Sequence, residues 1–384
     1  MSAPFRNQRP GQKQISTLPK KQSAILRLNT ICPYFTMFPL DFPFRTLASA
    51  NQDDWALDPF CGRGTTNYAA RLRGLGSVGI DSSPVAVAIS AAKFVDTTPA
   101  DIIKLCKTIL ANDREPDHIP EGRFWELCFH SDTLHDICKL RESLMEECTT
   151  DEAVALRALM LGVLHGPVHK NRISYLSNQM PRTYCCKPEY SVRYWEKHGL
   201  YPKRIDALDV VAWKAKYSFG TLPAKPQGGI IHGDSRNPLK VIPENGFTWV
   251  ITSPPYYRMR TYVPDQWLRN WFLSGEDTVN YTTTGQLTHS SQQDFARDLA
   301  TVWKNITEAC APGAKMVIRL GALPSSACNP EDILQRSLDC ATCGWEKIKI
   351  ESAGAAKRGK RQSDQFGGTM GTAHEEIDYF AVLT

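Results

Sequence analysis

The stretch Asp58–Thr66 has the sequence DPFCGRGTT, and it stands between an apolar run, Trp55–Leu57, and the helix-like segment Asn67–Leu72. A short apolar run that leads into a polar, glycine-containing segment predicts a turn between a buried strand and a helix. In open α/β sheets, ligands bind beyond the carboxyl ends of the strands, and glycines there let the backbone approach the ligand. Gly62 and Gly64 fit this role, although an ordinary connecting loop would also contain such glycines.

A second stretch, Val250–Tyr257, repeats the arrangement with the sequence VITSPPYY. Its apolar half predicts another buried strand, and its two prolines fix the backbone of the turn that follows. Between the two stretches, Gly76–Asp81 is a predicted strand that ends in an acid. Such an acid, about 20 residues past the glycines, accepts hydrogen bonds from ribose hydroxyls, and it can also cap the helix that follows at Pro84. We expect the two turns to share one ligand-binding crevice.

The pair of motifs, DPFxGxGTT and SPPY, resembles the cofactor and catalytic motifs of the DNA amino-methyltransferases. Members of this family transfer a methyl group from S-adenosylmethionine to exocyclic base nitrogens. The serine of the second motif, Ser253, resembles the N4-cytosine branch of the family. The recognisable motifs lie within residues 30 to 95 and 228 to 325, and the segment between them is assigned only from its context.

The resemblance implies an α/β fold of the Rossmann-like methyltransferase type, with a mostly parallel seven-stranded sheet, an antiparallel terminal strand and a largely helical insertion. We predict that residues 25–98 and 228–384 form the catalytic domain, residues 99–227 the helical insertion, and residues 1–24 a disordered basic arm. The antiparallel strand is expected at the edge of the sheet, in a terminal hairpin. Helices are predicted over Asp265–Leu273 and Phe295–Ala311.

The cofactor site is assigned from the strand ends and from the resemblance. In the family, a segment with threonine, proline and aromatic residues before the glycine turn covers the methionine part of the cofactor; here simple packing is the alternative. The turn at residues 233–235 resembles the segment that contacts the adenine ring, and a surface turn is the alternative there. The predicted S-adenosylmethionine-binding residues are Tyr34, Thr36, Asp58, Pro59, Phe60, Gly62, Gly64, Thr65, Thr66, Asp81, Ser82, Asp234 and Ser235.

Four consecutive residues are predicted to carry out the chemistry. Methyl transfer from a sulfonium needs orientation and charge but no metal. Acceptors on Ser253 and on the Pro254 carbonyl can orient the amino group, while Pro254 and Pro255 remove competing N–H donors. Tyr256 is expected to stack against the base, which must be flipped out of a duplex to reach the turn.

Residues 169–198 mix basic, amide, hydroxyl and aromatic side chains without a clear period. Arg and Lys contact guanine and phosphate, and Asn and Gln pair with adenine, so we expect this region to recognise DNA. A protein-packing loop would use similar aromatic residues. A basic loop between the last strands and two arginines after the SPPY motif are further candidates. The predicted DNA-binding residues are Lys170, Arg172, Asn178, Gln179, Arg182, Arg193, Arg258, Arg260, Lys357, Arg358 and Arg361.

Composition bounds the class of protein. The 384 residues are 42% apolar and 22% charged, which suffices for one large core or two smaller ones. The net charge is +5, but the first 40 residues contain six basic and no acidic side chains. Such an arm can contact a phosphate backbone or remain a solvated tail. Without a run of about 18 apolar residues or a signal-like start, a cytoplasmic protein without a membrane span is expected.

Twelve cysteines scattered through a chain of this length predict reduced thiols. Cys340 and Cys343 have the spacing of half a zinc site but lack a second pair, so no metal is expected.

Three other functions compete with N4-cytosine methylation. They are N6-adenine methylation of DNA, methylation of an RNA base, and nucleic-acid binding with a vestigial cofactor pocket; Ser253 favours N4-cytosine over the first two. A role in restriction-modification or phage defence would add a cognate restriction endonuclease or defence-system proteins as partners beside DNA.

Overall fold

The computed structural model describes residues 15–20, 23–34, 38–167, 173–177, 180–258, 262–282, 285–322, 328–353 and 376–384. Within these residues the chain forms one sheet. Its strands are β1 (Trp55–Asp58), β2 (Gly76–Asp81), β3 (Gly228–His232), β4 (Phe247–Thr252), β5 (Cys310–Leu320), β6 (Trp345–Ser352) and β7 (Ile377–Leu383). They are ordered β3-β2-β1-β4-β5-β7-β6, and only the pairs that involve β7 are antiparallel. This is a Rossmann-like methyltransferase fold, and the predicted fold class is confirmed.

The antiparallel strand β7 lies inside the sheet, between β5 and β6, and not at the predicted edge. Its Asp378 carboxylate pairs with Arg319 of β5 at 2.6 Å, and its Tyr379 is buried. The edge strand is β6, where Lys347 and Lys349 are exposed. Lysines on an edge strand oppose pairing with another chain, which suits β6 to this place.

The sheet is flanked by helices on both faces. In the described ranges the α-helices are α1 (Asp41–Thr46), α2 (Thr65–Arg73), α3 (Pro84–Ala91), α4 (Pro99–Leu110), α5 (Arg123–Cys128), α6 (Ser131–Glu146), α7 (Asp151–Val163), α8 (Pro188–Lys197), α9 (Ala207–Phe219), α10 (Tyr262–Asp265), α11 (Trp267–Phe272), α12 (Gln292–Thr307) and α13 (Pro330–Ala341). The segment predicted as a helical insertion contains α4 to α9.

Two helices differ from their predicted bounds. Helix α12 begins three residues early, because the Ser291 hydroxyl accepts a hydrogen bond from the Asp294 N–H at 3.0 Å and caps the helix. It ends at Thr307, since the chain pairs with β4 from Cys310 onward. The helix predicted over residues 265–273 corresponds to α11, which begins at Trp267 and ends at Phe272, whereas α10 ends at Asp265.

Two apolar clusters cover the two faces of the sheet. Side chains alternate along each strand, so Leu57 and Val250 pack with α12 and α13, while Ala56 and Ile251 pack with α2 and α3. Helices α4 to α9 all contribute to this second cluster. Residues 99–227 therefore share one continuous core with the segments of chain before and after them.

The described part of the predicted N-terminal arm contacts the domain. The Ile15 N–H donates to the Leu72 carbonyl at 3.1 Å, and the Arg73 guanidinium donates to the Ser16 carbonyl at 3.1 Å. Ile15 and Ser16, which fall within the predicted arm, thus contact α2, and residues 1–14 lie outside the described residues. None of the helices in the described ranges has the length and apolarity that a membrane span requires.

Candidate active site

The glycine turn after β1 is shaped by two residues in the left-handed region, Gly62 with φ 51° and Gly64 with φ 75°. A Cβ atom at Gly64 would lie 2.9 Å from the Cβ of Ser90 on α3, so this glycine permits close packing of the turn against a helix. The Gly62 N–H donates to Asp81 Oδ2 at 2.9 Å. Gly62 lines the cavity described below, whereas Gly64 does not.

Asp81 links the turn after β1 to the turn after β2. Its Oδ2 atom accepts the bond from Gly62, and its Oδ1 atom accepts from the Ser83 N–H at 2.9 Å. Burial raises the pKa of this carboxyl group, and the two backbone hydrogen bonds oppose the increase. The helix α3 is capped by Ser83, whose hydroxyl accepts from the Ala86 N–H, and not by Asp81. Each carboxylate oxygen keeps a further lone pair for a ligand hydroxyl.

Asp58 lies behind the cavity wall that Pro59 and Phe60 form, and its side chain is buried. The Thr252 hydroxyl donates to Asp58 Oδ1 at 2.6 Å, and the Phe60 N–H donates to the same atom at 3.2 Å. Burial raises the pKa of Asp58 to about 6, although hydrogen bonding to Thr252 opposes this. The other oxygen, Oδ2, is buried without a hydrogen-bond partner among the described residues.

The proline turn after β4 enters the same cavity. Ser253 and Pro255 line it, while Pro254 is buried in the wall. The Tyr256 hydroxyl donates to Glu376 Oε1 at 2.9 Å, and Tyr256 is not part of the lining. A Cβ atom at Gly321 would lie 3.1 Å from the Tyr256 ring, so Gly321 makes room for that ring. The arrangement brings the glycine turn and Ser253 to one crevice.

The end of β3 closes one side of the cavity through Asp234 and Ser235. The Ser235 hydroxyl donates to the Pro59 carbonyl and ties this turn to the glycine turn. Asp234 pairs with Arg236 at 2.6 Å, and Arg236 also pairs with Asp298 of α12 at 3.0 Å. Burial tends to raise the pKa of Asp234, but hydrogen bonds from Arg236 outweigh it and hold the pKa below its usual value.

The predicted residues that line the cavity are Tyr34, Pro59, Phe60, Gly62, Thr65, Asp81, Ser82, Asp234, Ser235, Ser253 and Pro255. The cavity has a volume of about 560 Å³. Thr66 points away from it, because its hydroxyl donates to the Ile251 carbonyl at 3.2 Å. Thr36 lies outside the described residues. The cavity brings together most of the residues that were chosen from the strand ends.

The opposite wall was not predicted from the sequence. It is formed by α10, α11 and the chain that follows, and its lining residues include Trp267, Asn270, Glu276, Gln286 and His289. Asn270 Oδ1 and both amide atoms of Gln286 are buried without hydrogen-bond partners among the described residues. This wall follows no local motif; the one available signal was a cluster of amide and aromatic residues soon after the SPPY motif.

Of the predicted DNA-binding residues, Arg182, Arg193 and Arg258 are described, and each is exposed. Arg193 lies on α8 beside Tyr190 and Tyr194, whose rings stack with centroids 6.4 Å apart. The others lie outside the described residues: Lys170, Arg172, Asn178, Gln179, Arg260, Lys357, Arg358 and Arg361. Among the residues that the structure describes, no group of His, Cys, Asp and Glu side chains could hold a metal ion.

Comparison with known proteins gives one family match. A family model described as DNA methylase (N6_N4_Mtase) matches residues 11–92. No curated protein sequence matches the chain.

Several solved structures are similar to the chain. The rRNA methyltransferase aviRa from Streptomyces viridochromogenes has 11% identity and a TM-score of 0.37, with 97% of this chain and 96% of that chain covered. A TehB-like methyltransferase from Corynebacterium glutamicum has 10% identity and a TM-score of 0.32, with coverages of 89% and 87%. An rRNA methylase from Streptococcus thermophilus has 6% identity and a TM-score of 0.33, with coverages of 91% and 99%.

The DNA methylase match contains the glycine turn and Asp81 and ends before the insertion. It supports a relationship to the DNA amino-methyltransferases. Together with the strand order, it supports a methyltransferase that uses S-adenosylmethionine.

The residues of the cavity fit this cofactor. A volume of about 560 Å³ is in the range of small-molecule sites. The carboxylate of Asp81 suits the ribose hydroxyls, and the orphaned amide of Gln286 offers a donor and an acceptor side by side. The buried Asp58 carboxylate favours a cation nearby, as the donor's ammonium and sulfonium groups provide.

Proposed function

We propose that the protein is a site-specific DNA methyltransferase that transfers a methyl group from S-adenosylmethionine to the exocyclic N4 amino group of a flipped cytosine. The observation that carries the proposal is that Ser253 lines the same cavity as Gly62 and Asp81. An acceptor for amino hydrogens is thereby present in the cavity that the donor-binding turn forms. A reaction between donor and base needs this shared enclosure, because the two reacting atoms must meet at van der Waals distance.

The donor supplies a methyl group that is already activated by the sulfonium. The chain's residues then need to orient the acceptor nitrogen and exclude water. In the proposal, the Ser253 hydroxyl and the Pro254 carbonyl accept hydrogen bonds from the two amino N–H groups, and the nitrogen lone pair turns toward the methyl group. As the N–CH3 bond forms and the S–CH3 bond breaks, the nitrogen loses one proton to solvent. Pro254 and Pro255 have no N–H groups that would compete. A neutral hydroxyl also avoids an unpaired carboxylate beside the base.

The base platform is assigned to Tyr256. Its hydroxyl donates to Glu376, and Glu376 directly precedes β7. We propose that the ring stacks on the flipped base, which returns part of the cost of a few kcal/mol for unstacking it from the duplex. Arg258 lies two residues after the motif and is exposed, so it is available to a DNA phosphate near the turn.

DNA as the substrate is supported by the DNA methylase match and by the exposed face of α8. Tyr190, Arg193 and Tyr194 are exposed on that face, and rings beside a guanidinium suit contacts with bases and phosphates. We propose a role in restriction-modification or phage defence, in which a cognate restriction endonuclease or defence-system proteins would be partners of the enzyme.

N6-adenine methylation of DNA and methylation of an RNA base are the alternatives within the same chemistry. Both would use the same cavity, and Ser253 is the residue that favours cytosine over them. A vestigial pocket on a nucleic-acid-binding protein is the alternative from another class, and it predicts no transfer at all.

The test is mass spectrometry of nucleosides after incubation of the full chain with labelled donor and either duplex DNA or RNA. We expect N4-methylcytosine from DNA. N6-methyladenine as the sole product, or labelling of RNA in preference to DNA, would contradict the proposal. Absence of any product, with donor still bound in calorimetry, would favour the vestigial pocket.

A further inference from the structure

Arg63, between the two glycines of the turn, lines the cavity with a guanidinium that has few partners. Its Nε atom donates to the Thr65 hydroxyl at 3.3 Å. Among the described residues, no carboxylate lies within ion-pair distance of Arg63. Burial lowers the pKa of Arg63 to about 10, because desolvation disfavours the charged form. A desolvated cation without a counter-ion on a cavity wall calls for an anionic ligand.

The surroundings of Arg63 add to this positive charge. Lys93 is buried and donates to the Leu28 carbonyl at 2.5 Å, and burial holds its pKa well below the usual value. Arg269 is also buried, and like Lys93 and Arg63 it opposes the increase that burial causes in the pKa of Cys32, so the three side chains lie around one residue. Backbone carbonyls satisfy the N–H groups of these cations but do not neutralise their charge. The region around Arg63 therefore favours a negative group.

The acidic residues of the cavity act at a different place. Cys32, in the N-terminal segment, acts electrostatically on Arg63, and among the described residues neither Asp58 nor Asp81 lies within ion-pair distance of its guanidinium. Asp81 and Asp58 instead both act on Cys61. The cavity thus has an acidic region and a basic region, and a ligand that carries both charges can match them.

We propose that Arg63 binds the α-carboxylate of the methionine moiety of S-adenosylmethionine. The proposal rests on S-adenosylmethionine as the donor in the proposed function. A guanidinium can bind a carboxylate through two parallel hydrogen bonds, and such charge-assisted pairs are stronger than neutral ones. The N-terminal segment closes over the same region, since the Tyr34 ring is 3.9 Å from the position of a Cβ atom at Gly62. Arg63 then binds the donor and selects for ligands that carry an amino-acid carboxylate.

The experiment compares two ligands that differ only in this carboxylate. Binding of S-adenosylmethionine and of decarboxylated S-adenosylmethionine is measured by calorimetry for the wild type and for Arg63→Gln. We expect the wild type to prefer the carboxylated ligand about 10-fold or more. Arg63→Gln should lose most of this preference while it keeps its affinity for the decarboxylated ligand. The ratio of two affinities on one variant does not depend on the folded fraction.

Two further variants serve as controls for the interpretation. Arg204→Gln, at an exposed arginine that does not line the cavity, should retain the full preference. Arg63→Lys keeps the charge but not the two-bond geometry, so its preference should be intermediate, and it can replace Arg63→Gln if that variant does not fold.

The contradicting results can be told apart. A full preference in Arg63→Gln overturns the proposal while the methyltransferase function stands. A full preference combined with weaker DNA binding would assign Arg63 to a DNA phosphate, which also overturns it. If the wild type binds neither ligand, the donor itself is wrong and the proposal falls with it.

Discussion

The two walls of the cavity are built in different ways. The strand-end wall consists of short turns after β1, β2, β3 and β4, and backbone N–H groups and glycines fix their shape. The opposite wall comes from α10, α11 and the residues up to His289, and it presents amide side chains whose polar atoms lack partners among the described residues. Hydrogen bonds between the turns brace the first wall, although Asp58 Oδ2 has no partner among the described residues, whereas the second wall has hydrogen-bonding capacity left for a ligand.

This difference indicates that the two walls have different roles. Turns that are braced by their own hydrogen bonds hold a fixed geometry, which the reacting groups need. Each buried amide group without a partner lowers the free energy of unfolding by about 1–3 kcal/mol. A ligand that supplies the partners removes this cost. We therefore expect changes in the strand-end wall to lower the rate, the stability or donor binding, depending on the residue changed, and changes in the opposite wall to weaken donor binding without lowering stability.

The largest effect is expected from Ser253→Ala in the strand-end wall. Loss of the acceptor that orients the amino group should lower the single-turnover rate constant by about 10²-fold or more, by analogy with the loss of one preorganised hydrogen bond. Donor affinity should change little, because Ser253 faces the acceptor in the proposal. Quench-flow with labelled donor measures the rate, and calorimetry measures affinity. Tyr256→Ala should behave in the same way, and an unchanged rate in both variants would remove the catalytic assignment.

The buried carboxylate of Asp58 should give a pH dependence of stability. Its pKa is raised by burial from 3.8 to about 6, so the folded state binds the proton more tightly than the unfolded state. The free energy of unfolding should then fall as pH rises from about 4 to about 6, by up to about 3 kcal/mol from this group. Asp58→Asn should lack this part of the dependence. Urea titrations of both proteins at several pH values measure the difference, and parallel pH profiles would contradict the raised pKa.

Asp81→Ala should weaken donor binding about 10-fold or more, because charged hydrogen bonds contribute about 1.5–3 kcal/mol. The same change removes the acceptor for the N–H groups of Gly62 and Ser83, so the free energy of unfolding should fall as well. Calorimetry and urea titration provide the two values. Unchanged donor affinity in both Asp81→Ala and Asp58→Ala would remove the cofactor assignment of this wall.

The smallest effect is expected from Gln286→Leu in the opposite wall. This change should weaken donor binding without lowering the free energy of unfolding. Donor affinity should fall about 2- to 10-fold, because a neutral hydrogen bond contributes about 0.5–1.5 kcal/mol. The free energy of unfolding without donor should stay the same or rise, since the buried amide atoms have no partner to lose among the described residues. A loss of stability equal to that of Asp81→Ala would show that the two walls do not differ in this way.

The contrast between the walls also explains what could be predicted from the sequence. The strand-end residues follow from local rules: apolar strands end in turns, glycines adopt positive φ, and parallel strands bring their carboxyl ends to one edge. The sheet and most of its helices were accessible by the same rules. The interior position of β7 was not, because it depends on the pairing of β5 with β7, whose partners Arg319 and Asp378 are 59 residues apart in the chain.

The opposite wall was missed for a related reason. Asn270 and Gln286 reach the cavity only because the packing of α11 and the course of the chain after it bring them there, and no spacing rule encodes that course. Asp58, Gly64 and Thr66 show the reverse case. They belong to a recognisable motif, yet they support the cavity from behind and do not line it.

The most direct test of a single site with two walls is hydrogen–deuterium exchange of the full chain with and without S-adenosylmethionine. The donor should protect backbone amides in the strand-end wall, at residues 58–66 and 81–84, and also in the opposite wall, at residues 263–282 and 285–289. Peptides from α8, which has an exposed face, should exchange at the same rate with and without the donor. Protection confined to residues 58–84, with none in residues 263–289, would contradict the account of a donor held between both walls.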